Sequence, residues 1–328
     1  MTNTETHATP GTPAGRGRRM GVVHILLATL LWALPALAIE YLTEYLDLWT
    51  QNFIRIASAA AFLWAVCLVR SPREVLAGLP RLVLRILPAF LALFAYQVLY
   101  VRALYMQSVL PGLAFMLLKA SVFFTVVFSC ILFADERAAV RDRRFQVGAL
   151  FSIAGLAGFV LVGLGSQAGD TAGPGLIWGV LVLLGSSIFW ALYTVLIKLL
   201  VRRGSPLVAY TYVCTLMTLA FGALSFARGD PAELIPRSAA GVRVLVIAIG
   251  SGVLCVGAAH VAYYYAIRSL GATICGIVLL AGTFLTPLLS VIIFGEPLSI
   301  WAVLSGVILI IGSACALQAR QGPPPDEP

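Results

Sequence analysis

Trp32-Ala33-Leu34, inside the apolar run 21–40, returns as Trp190-Ala191-Leu192 inside the apolar run 174–198. Tyr100-Val101-Arg102-Ala103 returns as Tyr263-Tyr264-Tyr265-Ala266 and Glu136 as Glu296, so that the three offsets are 158, 163 and 160 residues. Such agreement means two homologous halves in one chain. Each half holds five apolar runs, an odd number, so the second half must enter a bilayer upside down relative to the first. That is an architecture of secondary transporters.

Composition agrees with a lipid solvent. The chain is 60% hydrophobic and 11% charged, with a mean hydropathy of +0.97, which no soluble globular domain carries. A hydrocarbon core of roughly 30 Å takes about 20 residues of helix. Runs of that length fall near 21–40, 49–69, 86–106, 109–133, 145–165, 174–198, 206–226, 243–266, 271–294 and 299–318, numbered here as spans 1 to 10. Lipid offers no partners to backbone N–H and C=O groups, so spans of this length must be helices. The reading is an all-α, polytopic membrane protein of ten transmembrane helices. It comprises a disordered cytosolic tail (1–20), a first five-helix repeat (21–165), an external linker (166–173), a second, inverted five-helix repeat (174–318) and a second cytosolic tail (319–328).

The chain has 22 basic and 14 acidic residues, a net +8, but the positive charge alternates from loop to loop. Sixteen basic residues, among them Arg16, Arg18, Arg70, Arg141, Arg202 and Arg268, fall on one side, and Arg228, Arg237 and Arg243 on the other. This is a topology signal and excludes nucleic acid as partner. It puts the N- and C-termini in the cytoplasm and the protein in the cell (inner) membrane. The stretch after Arg19 is too long for the core of a signal peptide and reads as span 1. Six cysteines stand singly, with no disulfide or zinc spacing. Gly148, Gly155 and Gly158 in span 5, with Gly306 and Gly312 in span 10, predict close packing of those two helices against each other, away from a substrate path.

The tryptophans ending spans 1 and 6, the Tyr-x-x-Ala near the ends of spans 3 and 8, and the acidic residues closing spans 4 and 9 (Asp135-Glu136-Arg137 and Gly295-Glu296-Pro297-Leu298) together resemble the EamA-type drug/metabolite transporter superfamily, over about residues 21–318. That resemblance implies a bundle in which spans 1 to 4 and 6 to 9 surround a cavity that 5 and 10 support. It also implies alternating access, often with export. It names no substrate.

Charges inside a bilayer cost about 2.5 to 3.5 kcal/mol each on the insertion scale, so each needs a reason. Lys119 lies about ten residues into span 4, too deep to snorkel at 1.5 Å per residue. Glu40, Arg55 and Arg102 lie near the external ends of spans 1, 2 and 3. One reading makes Lys119 and Arg102 attract an anionic substrate group such as a carboxylate, with Glu40 or Lys119 exchanging a proton during the cycle. The other makes Glu40, Arg55 and Lys119 an internal ion pair or coupling group that fixes helix register. Lys119 departs from the apolar pattern associated with span 4 of the superfamily. Its counterpart at offset 160 is Leu279.

Aromatic and polar residues complete the expected pocket. Tyr100 in span 3, Tyr263 and His260 in span 8, Trp190 and Tyr193 in span 6, and Gln97 at the repeat position of His260 are substrate-binding candidates. Pro35 and Pro287 are deep enough to act as hinges. Glu136 and Glu296 read as caps at gate edges. The histidines are far apart, no acidic pair lies within a span and no phosphate loop is present. Neither an enzyme nor a nucleotide-driven motor is indicated, and no cofactor or metal is expected. The function read from the sequence is secondary or facilitative transport, in the export direction, of a small organic metabolite such as an amino acid or other carboxylate-bearing solute, with a proton as the candidate coupling ion. Efflux of aromatic or cationic compounds is the alternative. The expected assembly is a monomer or a homodimer.

Overall fold

The computed structural model describes residues 13–77, 79–106, 117–167, 174–202, 204–294 and 299–319, and among these all regular structure is helical. Six helices in this set are long and apolar enough to cross a membrane: Leu48–Arg70, Leu84–Tyr105, Ile177–Val201, Pro206–Arg228, Ala239–Leu270 and Ile300–Leu317. The linker residues 168–173, the tail residues 320–328, the first part of span 4 and Glu296 lie outside the described residues. So do the side chains of Glu40 and Pro287.

Span 1 is two helices, α1 (Pro13–Leu31) and α2 (Pro35–Thr43). Pro35 lacks an N–H and sits in the first turn of α2, where a missing donor is harmless. It starts a new helix after the turn Trp32–Leu34 and does not kink a continuous one. The expected 1–20 tail needs correction, because α1 already begins at Pro13. Arg18 anchors it by donating from Nη2 to the carbonyls of Leu317 and Ala319, each at 2.7 Å. Those carbonyls end α15 (Ile300–Leu317), and a cation there meets the negative end of the helix dipole.

After α3 (Leu48–Arg70), α4 (Pro72–Ala77) and α5 (Leu79–Tyr105), the chain enters α6 (Ser121–Leu132), α7 (Ala134–Arg141) and α8 (Arg143–Gln167). The second half supplies α9 (Pro174–Val201) and α10 (Pro206–Arg228). These are followed by α11 (Ala239–Ser251), a π-helical turn (Gly252–Ala258) and α12 (Ala259–Leu270) as one span, and then α13 (Ala272–Leu279) and α14 (Gly282–Phe294). Helices pack across the halves in matched pairs: α1 with α12 and α5 with α9, α3 with α10, and α8 with α15. Exchanging the halves carries these pairs onto one another.

The two halves also share a broken helix. In the first, Ala120 N bonds Leu117 O at 3.0 Å, Val122 N bonds Lys119 O at 3.0 Å and Phe123 N bonds Ala120 O at 3.1 Å. In the second, Ala281 N bonds Val278 O at 3.0 Å, Thr283 N bonds Leu280 O at 2.9 Å and Phe284 N bonds Ala281 O at 3.1 Å. Every donor and acceptor is displaced by 161 residues. Tight i→i+3 turns release carbonyls that lipid cannot satisfy, and serines of neighbouring helices take them up. Ser187 Oγ donates toward Leu117 O and Leu118 O (3.2 and 3.3 Å), and Ser313 Oγ to Ile277 O (3.1 Å). The break in span 9 therefore lies upstream of Pro287, and the register makes Leu280, not Leu279, the counterpart of Lys119.

Spans 5 and 10 pack as their glycines predict. A Cβ on Gly312 would lie 2.5 Å from Ser152 N and 2.6 Å from Gly148 O, and one on Gly148 2.5 Å from Ala316 N. Between lipid-exposed helices there is little hydrophobic drive, so this backbone proximity and its van der Waals contact hold the pair.

Candidate substrate cavity

A cavity lies between the Trp32–Leu34 turn, α2, α3, α5, α6, α9, α10, the π-turn, α12 and α13, with about 1140 Å³ of empty space, its open mouth included. Among the described residues, none of α8 or α15 is on its wall. Of the eight expected binding residues, Lys119, Gln97, His260, Tyr100, Tyr263 and Trp190 line it, as do Arg55 and Pro35. Two stand elsewhere. Arg102 is exposed at the end of α5 and is not on the wall. Tyr193 is fully buried beneath the cavity, its hydroxyl 2.7 Å from that of Tyr264.

An aromatic box forms the middle of the wall. Trp32 meets Trp190, His260 and Tyr263 edge-on, with ring centroids 5.3, 4.8 and 4.9 Å apart. Tyr96 lies 4.8 Å from Trp190 and stacks on Tyr100 at 5.9 Å. Such pairs contribute roughly 0.5–1.5 kcal/mol each beyond area burial. The Trp32 indole is held by donating to Cys255 O at 2.9 Å, a carbonyl inside the π-turn, where the helical ladder is disturbed. His260, just past that turn, stacks on Tyr210 at 4.6 Å with the planes 3° apart. Neither of its ring nitrogens has a hydrogen-bond partner among the described residues.

Polar groups gather on α3 and α5. Asn52 donates to Leu48 O at 2.8 Å and accepts from Gln97 Nε2 at 2.7 Å. Arg55, one turn on and only 3% exposed, donates from Nε to Ser251 Oγ at 3.1 Å. Asn52 and Ser251 went unread in the sequence. Asn52 was findable from its i, i+3 spacing to Arg55 on one helix face, whereas Ser251 and Tyr210 come from distant spans and leave no local signal.

Below the cavity the wall closes in two layers. Thr194 Oγ1 and Tyr263 OH lie 3.2 Å apart, beside the Tyr193–Tyr264 pair. Farther along, Glu136 accepts from Lys198 Nζ at 2.5 Å, Ala272 N at 2.7 Å and Thr273 N at 3.2 Å. This carboxylate caps the N-terminus of α13 while pairing with the end of α9. Gly271, at φ 78, makes the entry to α13, and a Cβ there would lie 2.8 Å from Glu136 Oε1. Asp135 binds Lys198 at 2.7 Å and Arg202 at 2.6 Å. Its carboxyl is held below the ordinary range, since burial raises it but the bonds from Arg202 and Lys198 outweigh that.

Residues 177–318 match the model of the EamA-like transporter family. An uncharacterized transporter of Haemophilus influenzae (strain ATCC 51907 / DSM 11121 / KW20 / Rd) is 21% identical over 300 residues, covering 89% of this chain and 95% of that protein. A solved crystal structure matches with a TM-score of 0.71 at 21% identity, covering 92% of this chain and 99% of the other, which shows the shared fold. Bundle, cavity and relatives together define a multi-pass membrane transporter that acts on a small molecule. Within that class the EamA likeness lies in the second half, the part that the family model matches.

Proposed function

We propose that this transporter exports a small carboxylate-bearing organic solute, such as an amino acid, by alternating access between two inverted five-helix repeats. The observation that carries the reading is a cavity in which, among the described residues, two cationic side chains, Lys119 and Arg55, stand in a wall otherwise built of aromatic, apolar and neutral polar groups. A cation in such surroundings gains from an anionic ligand far more than it would in water. The ten-span topology, with both termini in the cytoplasm of the inner membrane, puts the 44–47 loop outside and Glu136 and Lys198 inside. In this frame the cavity, which reaches Pro35 and Ile39, opens outward, and the tyrosine and Glu136–Lys198 layers form the inner seal. Exchange of a proton at Lys119 is the favoured coupling step, and the molecule works as a monomer or homodimer.

The test is a thermal-shift screen in detergent against amino acids, organic anions and quaternary or aromatic cations, for wild type and Lys119→Ala. A ligand that binds the folded state raises its melting temperature by mass action. Stabilisation by carboxylates that weakens in the variant supports the reading. Stabilisation by cations, equal or stronger in the variant, overturns it. The aromatic box favours that second reading, efflux of aromatic or cationic compounds, and the two cationic side chains oppose it.

A further inference from the structure

We propose that the Arg55 guanidinium is the group that grips the substrate's carboxylate, a step that rests on the carboxylate reading above and assigns the anchor within it. Arg55 is 3% exposed and lines the cavity. Among the described residues its guanidinium makes one hydrogen bond, from Nε to Ser251 Oγ, and forms no ion pair. Ser251 Oγ in turn donates to Ala248 O at 3.0 Å, so the serine is committed as an acceptor toward Arg55. Among the described residues, the ionisable groups that act on the guanidinium are Cys255, Tyr100, Tyr96 and Tyr105, none of which normally carries charge at neutral pH. A buried cation with one neutral partner is an unfavourable arrangement unless an anion completes it.

The two terminal NH₂ groups of the fork donate no hydrogen bond to any described residue, although they belong to a side chain on the cavity wall. Their spacing matches the two oxygens of a carboxylate, a bidentate fit that an ammonium cannot reproduce. The backbone beneath is fixed too. Gly252 packs so closely that a Cβ there would lie 2.2 Å from Arg55 O, and the Ser251 bond orients the fork from the next residue. A group held this way spends little ordering entropy on binding. Gln97, bonded to Asn52 one turn away, has no hydrogen bond to its own carbonyl oxygen among the described residues, which leaves an acceptor for a substrate N–H or O–H.

The experiment measures dissociation constants by calorimetry in detergent for L-leucine, L-glutamate, benzoate and succinate, each against its neutral amide, with wild type, Arg55→Lys, Ser251→Ala and Lys119→Ala. Loss of a charge-assisted bidentate pair costs about tenfold to a hundredfold in affinity. The expected result is that wild type prefers acid to amide by at least that factor, and that Arg55→Lys, which keeps the positive charge, removes the preference. Ser251→Ala reduces it about threefold, as loss of a single orienting hydrogen bond would, and Lys119→Ala weakens acids while keeping most of the preference. A merely structural Arg55 would shift acid and amide alike. Undiminished acid preference in Arg55→Lys, or in Ser251→Ala should Arg55→Lys not fold, overturns the assignment. Binding of none of the four acids by wild type overturns the carboxylate reading itself, and the anchor falls with it.

Discussion

Lys119 and Leu280 occupy the same position of the same broken turn, 161 residues apart, with the same i→i+3 hydrogen bonds on either side. The lysine lines the cavity, whereas the leucine is 1% exposed and packed in the core. The backbone template thus asks for no charge at this place, and the first half carries one against the pattern of the second.

That comparison predicts that Lys119→Leu still folds, since the matching turn of the second half carries a leucine, while carboxylate affinity falls severalfold. Melting curves with and without ligand check both halves of the statement. A large loss of stability without ligand would make Lys119 a structural residue.

Glu136 and Lys198 are 2% and 3% exposed and 2.5 Å apart. Removing one partner of a buried pair leaves an uncompensated charge and costs about 3–5 kcal/mol, whereas replacing both by neutral groups of similar size is much milder. Glu136→Ala and Lys198→Met are each expected to lower the melting temperature strongly. The double variant Glu136→Gln with Lys198→Met is expected to recover most of the loss. Additive losses would argue that the two act separately.

Acid should loosen the same end of the molecule through Asp135. Its folded carboxyl titrates below its unfolded value because Arg202 and Lys198 bond it, against the upward push of burial. The stability it contributes is therefore complete above the unfolded value of about 3.9 and is lost as pH falls through the lower folded value. Melting temperature is expected to be insensitive to this group between about pH 5 and 8 and to fall below about pH 4. In Asp135→Asn that acid-side step should shrink. A step of unchanged size would mean another carboxylate is responsible.

Gly312→Ala tests the helix pair that stands outside the cavity. Its Cβ would meet Ser152 N at 2.5 Å and Gly148 O at 2.6 Å, both backbone atoms that cannot swing aside. Overpacking of this kind costs roughly 1–3 kcal/mol. Dissociation constants for cavity ligands should stay at the wild-type value, since no described residue of α8 or α15 is on the wall.

Much of this was legible in the chain itself. Mean hydropathy and run length determined that the solvent is lipid, and lipid permits only helices for such spans. The recurrence of Trp32 at Trp190 and Tyr100 at Tyr263 could be read as a repeat, and one intramembrane lysine, Lys119, marked the cavity from a single residue. Helix orientation was not legible. Arg55 and Arg102 look alike in sequence, yet one lines the cavity and the other is exposed. Tyr193 lies below the cavity while Trp190, three residues before it, is on its wall. In water a polar face tells which side of a helix is out, but in lipid both faces are apolar, so the periodicity that would orient each helix is nearly erased. Only packing across the two halves decided which side chains met. It brought Ser251 to Arg55, Ala272 to Glu136 and Tyr210 to His260, contacts between spans whose separation along the chain carries no trace of their proximity.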